Sequence, residues 1–239
     1  MHNIFIIASI CLSVLTVNLT FVDAAFCGTE YCIDNESGSD GNPGTKAKPW
    51  KTLAKASVLT ANLKPGDSIL LRRGSDWDGA SLEIVGAVGG ENNPITFGAY
   101  GPESEPRPSI GNGRIYVKKS EHLVIRDMEV HHSPSGPCIS VTRSGYITVV
   151  NNVVHHAKSN GIAYHAGVHH TATVDNIVHD VLANDGISIH DAQWGDDPRP
   201  VGSHHWVMSK CQMLCMGIFL SRKSIDFSIS EFDAFAHQC

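Results

Sequence analysis

Histidines and aspartates stand close together between residues 165 and 197, where they could carry out acid–base or metal chemistry. The segment 184–191 reads Asn-Asp-Gly-Ile-Ser-Ile-His-Asp, so that Asp185 and Asp191 flank His190. An earlier segment, Asn-Gly-Ile-Ala-Tyr-His, ends at His165, and aligning the two glycines puts both histidines at the same position. Mixed imidazole and carboxylate groups shift one another's pKa values, which is typical of catalytic sites. We therefore predict the functional site here.

β-Elimination on a uronate-containing polysaccharide is the first reaction that such residues could catalyse. The enzyme must remove the proton next to a carboxylate, so it needs a base and a group that neutralises the enolate-like intermediate. His165 or His190 is the predicted base. Lys158 and Arg143 are weaker candidates for the base and are predicted to bind the substrate. These residue types favour a polysaccharide lyase-like enzyme.

The acidic residues of this region have two alternative uses. Asp185, Asp191, Asp196 and Asp197 could hold Ca²⁺, which takes six to eight oxygen ligands. Asp185 and Asp191 could instead form the carboxyl pair of a glycoside hydrolase, in which the two groups lie about 5–5.5 Å or about 6.5–9.5 Å apart. Trp194 lies beside these acids and is suited to stacking on a sugar ring.

Structural explanations remain open for the same residues. The acids could be solvated groups at a turn, and the protein could be a non-catalytic carbohydrate-binding or surface module. His131, His155 and His179 recur at a fixed spacing and are predicted to be packed neutral rings. A metal-binding stripe is conceivable, but strands lie about 4.8 Å apart, so these rings need not converge on one ion. Adjacent pairs such as His131-His132 are predicted to point to opposite faces of a strand.

An internal repeat of 24 residues predicts the architecture that positions these groups. Val130, Val154 and Val178 share one register, and two polar columns precede them. A fixed period of this length with several short strands indicates a solenoid, in which stacked coils supply the core. We predict turn ladders at the polar columns, a fourth copy from Trp206, and an insertion at 192–205. The polar columns are Asp127/Asn151/Asp175 and Met128/Asn152/Asn176/Cys211.

The first part of the chain predicts a cap for this solenoid. Apolar residues from Trp50 to Ala61 recur at helical spacing, which indicates an amphipathic helix at 49–62. Short β-rich runs follow, so we predict coils from about 66 to 224. The tail from Asp226 abandons the repeat, which suggests a shortened or truncated chain.

Two stretches of sequence resemble a known superfamily. They are Ser-Gly-Ser-Asp-Gly-Asn-Pro-Gly-Thr-Lys-Ala-Lys-Pro-Trp-Lys-Thr-Leu (37–53) and Leu-Lys-Pro-Gly-Asp-Ser-Ile-Leu-Leu (63–71). They resemble the opening of secreted right-handed parallel β-helix proteins of the pectin-lyase-like superfamily. The resemblance implies an all-β fold with an N-terminal capping α-helix. It leaves the reaction open among lyases, hydrolases, epimerases and adhesins. The superfamily's hydrolase pattern and its Asp-Pro-His-Glu epimerase motif are absent from the sequence.

The amino-acid composition limits the kinds of partner that the protein can bind and indicates the compartment in which it acts. The 239 residues carry a net charge of −6 and no Lys/Arg-rich run, which argues against nucleic acid. An apolar run with small residues after it predicts a signal peptide at 1–24, cleaved to leave a secreted single domain at 25–239. We expect a monomer that acts on a polysaccharide and has no membrane span after cleavage. Disulfides suit that compartment, with Cys27–Cys32 and Cys211–Cys215 as candidate pairs.

Overall fold

The computed structural model describes residues 28–190 and the backbone of five strands between residues 204 and 235. The described part contains twenty strands, one α-helix and a 3₁₀ turn. The α-helix is α1 (Leu53–Leu59), followed by the 3₁₀ turn Thr60–Asn62. The strands are, in chain order, β1 (Glu30–Ile33), β2 (Ser68–Arg72), β3 (Leu82–Val85), β4 (Ile95–Tyr100), β5 (Ser109–Gly111), β6 (Ile115–Lys118), β7 (Glu121–Arg126), β8 (Glu129–His131), β9 (Ile139–Thr142), β10 (Gly145–Val150), β11 (Val153–His155), β12 (Ile162–His165), β13 (His169–Val174), β14 (Ile177–His179), β15 (Ile187–His190), β16 (His204–Ser209), β17 (Gln212–Leu214), β18 (Ile218–Leu220), β19 (Ile225–Ser230) and β20 (Asp233–Phe235).

These strands form three parallel sheets that the chain visits in turn. The first sheet has the order β1-β2-β4-β7-β10-β13-β16-β19. The second contains β5, β8, β11, β14, β17 and β20, and the third contains β3, β6, β9, β12, β15 and β18. Each coil therefore contributes one strand to each sheet before the chain rises to the next coil. This arrangement confirms the predicted parallel β-helix.

The 24-residue register is also confirmed. Leu123 of β7 pairs with Ile147 of β10, which pairs with Thr171 of β13. In the second sheet, Val154 pairs with both Val130 and Val178, and all three side chains are buried. Stacked aliphatic side chains fill the interior of the coil, which agrees with the expectation that one coil cannot bury its apolar face alone.

The coil extends beyond both predicted ends. Strand β1 pairs with β2, so the first sheet begins well before residue 66. At the other end, β19 and β20 pair in parallel with β16 and β17, so the prediction that the tail abandons the repeat after residue 224 is wrong. The repeated strands continue in this segment although its side chains no longer follow the repeat. Strand pairing uses backbone N–H and C=O groups, and every coil has these groups whatever its side chains are. The predicted insertion ends earlier than expected, since His204 and His205 belong to β16.

The capping helix is shorter than the predicted 49–62. Helix α1 begins at Leu53, where the Thr52 hydroxyl accepts a hydrogen bond from Lys55 N at 3.2 Å. Trp50 lies outside the helix because its N–H donates to Cys32 O at 2.9 Å and its backbone bridges Ile33 of β1. Its buried ring contributes to the core rather than to a helical stripe.

Hydroxyl groups of this helical segment cover the exposed edge of the third sheet. Strand β3 is the first strand of that sheet, and its outer backbone groups face α1. Ser57 Oγ accepts from Glu83 N at 2.9 Å, while Thr60 Oγ1 accepts from Val85 N and donates to Val85 O, both at 3.2 Å. Open edges invite pairing with other chains, so this segment acts as the predicted cap.

The predicted asparagine turn ladder lies between the first and second sheets. Asn152 Oδ1 accepts from Met128 N at 3.1 Å, and Asn152 Nδ2 donates to Ile125 O at 3.0 Å and Val150 O at 3.1 Å. Asn176 repeats this pattern one coil later, and both amides are buried. The residues of the preceding column have a left-handed backbone conformation. They are Asp127, Asn151 and Asp175, with φ of 62°, 53° and 53°. We call these five residues the asparagine corner: Asp127, Asn151, Asn152, Asp175 and Asn176.

Two described cysteines are free thiols. Cys32 and Cys138 are buried and unpaired, so the predicted Cys27–Cys32 disulfide is absent. Burial raises the pKa of each thiol to about 11, which keeps both protonated and unreactive at neutral pH. Cys211–Cys215 and the signal peptide 1–24 lie outside the described residues. Among the helices of the described residues, none has the length and apolar character needed to cross a membrane.

Candidate functional site

The predicted cluster is only partly brought together. His165 pairs with His190 in adjacent strands β12 and β15, as the glycine alignment predicts. Asp185 precedes β15, and its carbonyl accepts from Gly161 N at the opposite end of the strand pair. Five residues of extended chain span about 16 Å, so Asp185 is separated from both histidines. Asp191, Trp194, Asp196 and Asp197 lie outside the described residues.

The two predicted substrate-binding cations lie in different places. Arg143 N donates to His165 O at 3.4 Å and to Ala166 O at 3.1 Å, which puts Arg143 directly beside the end of β12. Lys158 is exposed in the turn that precedes β12, so it lies at the other end of that strand. The structure thus groups Arg143 with His165 and leaves Lys158 with the turn that holds Asp185.

A basic corner surrounds His165 where the third sheet passes into the first. Lys118, Thr142 and His165 pair in register at the ends of β6, β9 and β12. In the next column, Lys119 and Arg143 are left-handed, with φ of 51° and 50°. Neighbouring strands are about 4.8 Å apart, so the cationic groups form a row along the coil axis. We define Lys118, Lys119, Arg143 and His165 as the basic corner.

Lysines of the basic corner face solvent without a carboxylate partner. Lys118 is half-buried and Lys119 is exposed. Within the described residues, neither lysine forms an ion pair. Although the chain has a net charge of −6, this corner therefore presents local positive charge to an anionic ligand.

A buried serine ladder fixes the backbone under the basic corner. Ser120 Oγ accepts from Ala87 N, and Ser144 Oγ accepts from Ser120 N, both at 3.2 Å. The same hydroxyls donate to Lys118 O at 3.0 Å and to Thr142 O at 2.8 Å. Both serine side chains are fully buried. Because their hydrogen bonds connect successive coils, the cationic residues are held at a fixed spacing.

An aromatic cleft adjoins the basic corner at the start of the first sheet. The ring of Tyr146 stacks on His122 at 4.4 Å between centroids and on His170 at 4.8 Å. The three rings border a cleft of about 350 Å³ whose floor includes Thr148 and Ala172. Tyr146 is 45% exposed, but His122 and His170 cover the two faces of its ring, so its edge is the part that a ligand can reach. We define His122, Tyr146 and His170 as the aromatic cleft.

The basic corner and the aromatic cleft are parts of one turn in each coil. His122 follows Lys119 by three residues, and Tyr146 follows Arg143 by three, so their Cα atoms are at most about 10 Å apart. The ring edges can contact a sugar, whereas cations bind carboxylates. This cleft was not predicted from the sequence, although its three residues recur at the same 24-residue spacing one position before the Leu123 column.

A second histidine-rich surface lies between the second and third sheets. The rings of His131, His155 and His179 stack with centroids 4.9 Å apart and interplanar angles of 8° and 9°, as predicted for packed rings. The prediction that adjacent histidines point to opposite faces is wrong for His131-His132 and His155-His156. Their Nδ1 atoms approach to 2.7 Å in each pair. The second residue of each pair is left-handed, with φ of 54° and 51°, which breaks the alternation of an extended strand.

Acidic groups neighbour this surface, which we call the histidine corner and define as His131, His132, His155, His156 and His179. Glu129 Oε1 lies 2.8 Å from His155 Nε2, and Asp180 Oδ2 lies 2.8 Å from His179 Nδ1. Burial lowers the pKa of His155, the hydrogen bond to Glu129 opposes that shift, and the neighbouring imidazoles reinforce it. The hydrogen bond from His179 lowers the pKa of Asp180. His155 is therefore favoured in its neutral form, in which imidazole is a metal ligand.

No family model matches the chain. The chain is 38% identical over 89 residues to lacto-N-biosidase of Bifidobacterium longum, a match that covers 37% of this chain and 6% of that protein. It is also 36% identical over 75 residues to the uncharacterised protein YwoF of Bacillus subtilis, covering 31% of this chain and 15% of that protein. The chain thus spans a small part of each curated relative.

Two solved alginate lyases share the fold. The alginate lyase from Paenibacillus superposes with a TM-score of 0.59 at 14% identity, covering 74% of this chain and 62% of that one. The PL6-family alginate lyase AlyGC gives 0.54 at 14% identity, covering 77% and 26%. At these identities the likeness shows the fold alone. The chain has the pectin-lyase-like parallel β-helix fold of these structures.

Proposed function

We propose that this protein is a secreted polysaccharide lyase-like enzyme that cleaves a uronate-containing polysaccharide by β-elimination. The observation that carries the proposal is the row of cations at the basic corner directly beside the stacked rings of the aromatic cleft. The exposed edges of the stacked rings would contact successive sugars, while the cations would bind their carboxylates. A polymer lying along the coil axis would meet the cations Lys118, Lys119 and Arg143, then His165, with one ring of the aromatic cleft beside them in each coil.

The proposed reaction uses His165 as the base. Neutral His165 would take the proton next to the uronate carboxylate, and Arg143 and Lys119 would balance the charge that builds up on the carboxylate oxygens. Electrons from the broken C–H bond would form a C=C bond as the glycosidic C–O bond breaks. The leaving oxygen would then take up a proton and depart as a hydroxyl group. His190, whose backbone pairs with His165, is the alternative base.

Calcium binding by Asp185, Asp191, Asp196 and Asp197 remains a prediction. The proposed reaction does not require it, because the basic corner can supply the positive charge that a bound Ca²⁺ would provide. Trp194 and Lys158 likewise remain predicted substrate contacts. Monomeric state and secretion after cleavage at residue 24 are also parts of this proposal.

Glycoside hydrolysis is the second candidate function. It is favoured by the 38% identity of an 89-residue stretch to lacto-N-biosidase. This reaction needs two carboxyl groups across the scissile bond, and Asp185 with Asp191 is the predicted pair. A non-catalytic carbohydrate-binding protein would need only the stacked rings and the cations.

A panel of polyuronates and neutral oligosaccharides tests these alternatives. Elimination produces an unsaturated sugar, so ultraviolet absorbance should rise on a polyuronate. Reducing ends released without that absorbance would indicate hydrolysis, and binding without either product would indicate a binding module. His165→Asn should lower the elimination rate by about 10²–10⁴-fold, the usual contribution of a general base.

Matched lysine variants test the role of the basic corner. Lys119→Asn removes the charge and keeps a residue that tolerates the left-handed backbone. We expect it to weaken binding of a polyuronate and to leave binding of a neutral oligosaccharide unchanged. Lys46→Asn, at an exposed lysine in the N-terminal turn, is the control and should affect neither. Equal effects of the two variants would contradict a specific role for the corner.

A further inference from the structure

Three imidazoles of the histidine corner converge although they come from two coils. One ligand nitrogen each from His132, His155 and His156 can be chosen so that all three lie within 4.8 Å of one another. The rings of His132 and His156 stack with centroids 4.6 Å apart, and His155 packs edge-on against both. The left-handed turn at His132 and His156 produces this convergence, because it brings each ring beside the preceding histidine.

We infer that the histidine corner binds one divalent transition-metal ion through His132, His155 and His156. A tetrahedral zinc ion has Zn–N distances of about 2.0–2.1 Å, which place its ligand nitrogens about 3.3 Å apart. The Nδ1 atoms of His155 and His156 are 2.7 Å apart. Metal binding would require ring rotations that open this pair and bring the His132 nitrogen, which lies within 4.8 Å of the other two, to the same separation. This site is independent of the proposed polysaccharide cleavage.

Glu129 orients His155 for such a site. Its carboxylate lies 2.8 Å from His155 Nε2, so the ring donates its Nε2–H to Glu129. This hydrogen bond leaves the Nδ1 lone pair of His155 directed toward His156. Metal-binding histidines almost always donate their second N–H to a carboxylate, a carbonyl or water in this way. Glu129 is therefore a positioning residue rather than a ligand.

The donor set identifies the class of metal. Three imidazole nitrogens suit Zn²⁺, Cu²⁺ or Ni²⁺, whereas Ca²⁺ and Mg²⁺ prefer oxygen ligands. His132 is exposed and His156 is half-buried, so the fourth position of a tetrahedral ion would face solvent. A water molecule or a small ligand would complete the coordination there.

Zinc titration of the full chain, followed by calorimetry, tests the site. We expect His132→Asn and His156→Asn each to weaken zinc binding at least tenfold. Asparagine tolerates the left-handed backbone, so these variants should fold, which circular dichroism would verify. His170→Asn is the matched control, because His170 is exposed and left-handed with φ of 48° but lies in the aromatic cleft. It should bind zinc as the wild type does.

Glu129→Gln provides a second measurement that does not remove a ligand. It should weaken zinc binding by about 10–100-fold, the usual effect of losing an orienting carboxylate. Excess Ca²⁺ should not displace zinc from the wild type. The inference would be overturned if the wild type binds no zinc, or if His132→Asn and His156→Asn bind it as tightly as His170→Asn.

Discussion

The asparagine corner and the basic corner lie at opposite ends of the same strands, β7, β10 and β13. Both are built from columns of residues that repeat in successive coils, and both contain left-handed residues. At the asparagine corner, the buried side-chain amides of Asn152 and Asn176 form hydrogen bonds with the backbone of the coil. At the basic corner, buried serines take over that role, while the Lys119 side chain is exposed.

The difference shows that repetition of a polar residue does not by itself indicate function. A repeated residue whose polar atoms are all bonded to its own backbone stabilises the turn. A repeated residue whose polar atoms face solvent remains available to a ligand. Buried polar groups are costly to leave unpaired, so the first kind should affect stability and the second kind should affect binding.

Replacing Asn152 with alanine should give the largest effect on stability. Loss of the buried amide leaves Met128 N, Ile125 O and Val150 O without their side-chain partner. Each unpaired buried group costs about 1–3 kcal/mol, so the free energy of unfolding should fall by about 3–5 kcal/mol. Urea denaturation followed by circular dichroism measures this change.

The neighbouring Asn151 provides the control for that measurement. It is exposed and left-handed, so Asn151→Gly keeps the backbone conformation and removes only surface contacts. We expect a loss below about 1 kcal/mol, as for most surface substitutions. Similar losses for the two variants would mean that burial of the amide is not what distinguishes the two columns.

The serine ladder under the basic corner should give a smaller loss. Ser144→Ala removes the acceptor for Ser120 N and leaves that buried N–H unpaired. The free energy of unfolding should fall by about 1–3 kcal/mol. Ser135→Ala, at an exposed serine in the loop before β9, should change it little. A Ser144 variant as stable as the Ser135 variant would show that the ladder does not fix the corner.

Much of this comparison could be predicted from sequence, because the period of 24 residues fixes which residues share a column. The period correctly paired Val130 with Val154, and alignment of Gly161 with Gly186 correctly paired His165 with His190, which are 25 residues apart. The separation of residues along a strand was harder to predict. Asp185 is close to His190 in sequence, but it lies at the other end of β15. Sequence proximity overestimates convergence in a solenoid, since each strand residue adds about 3.3 Å.

Backbone handedness caused the other main error. Residues in an extended strand alternate between faces, so His131 and His132 were expected to diverge. Histidine at a positive φ is uncommon, and nothing in the local sequence marks His132 or His156 as left-handed. The neighbouring coils impose that conformation by continuing the turn. The convergence of the histidine corner therefore became visible only in the structure.

Removing the ring of Tyr146 should affect ligand binding much more than folding. The side chain is 45% exposed, and Tyr146→Asn keeps a residue suited to its φ of 55°. Loss of this exposed ring edge should weaken polysaccharide binding roughly tenfold, or about 1.4 kcal/mol. Tyr146→Phe keeps the ring and should bind almost as the wild type does. A fall in stability without a fall in binding would make the aromatic cleft a structural ladder like the asparagine corner.

The smallest predicted effect is on the stability of the fold at low pH. This property distinguishes a turn held by asparagine amides from a turn held by an aspartate carboxylate. An amide ladder does not titrate, whereas Asp40 in the N-terminal turn accepts from Lys51 N and Thr52 N at 2.9 Å and from the Thr52 hydroxyl at 2.6 Å. Partial burial alone would raise the pKa of Asp40, but these hydrogen bonds prevail and hold it below its ordinary value of 3.8.

A carboxyl group with a lowered pKa stabilises the fold above its unfolded pKa and loses that contribution as the pH falls through the folded value. Asp40→Asn should therefore reduce the difference in urea midpoint between pH 6 and pH 3, about one unit below that ordinary pKa. Glu103→Gln, at an exposed carboxylate whose side chain makes no hydrogen bond within the described residues, should preserve the wild-type difference. If Asp40→Asn also preserves it, acid sensitivity arises elsewhere, and the N-terminal turn behaves like the amide corner despite its carboxylate.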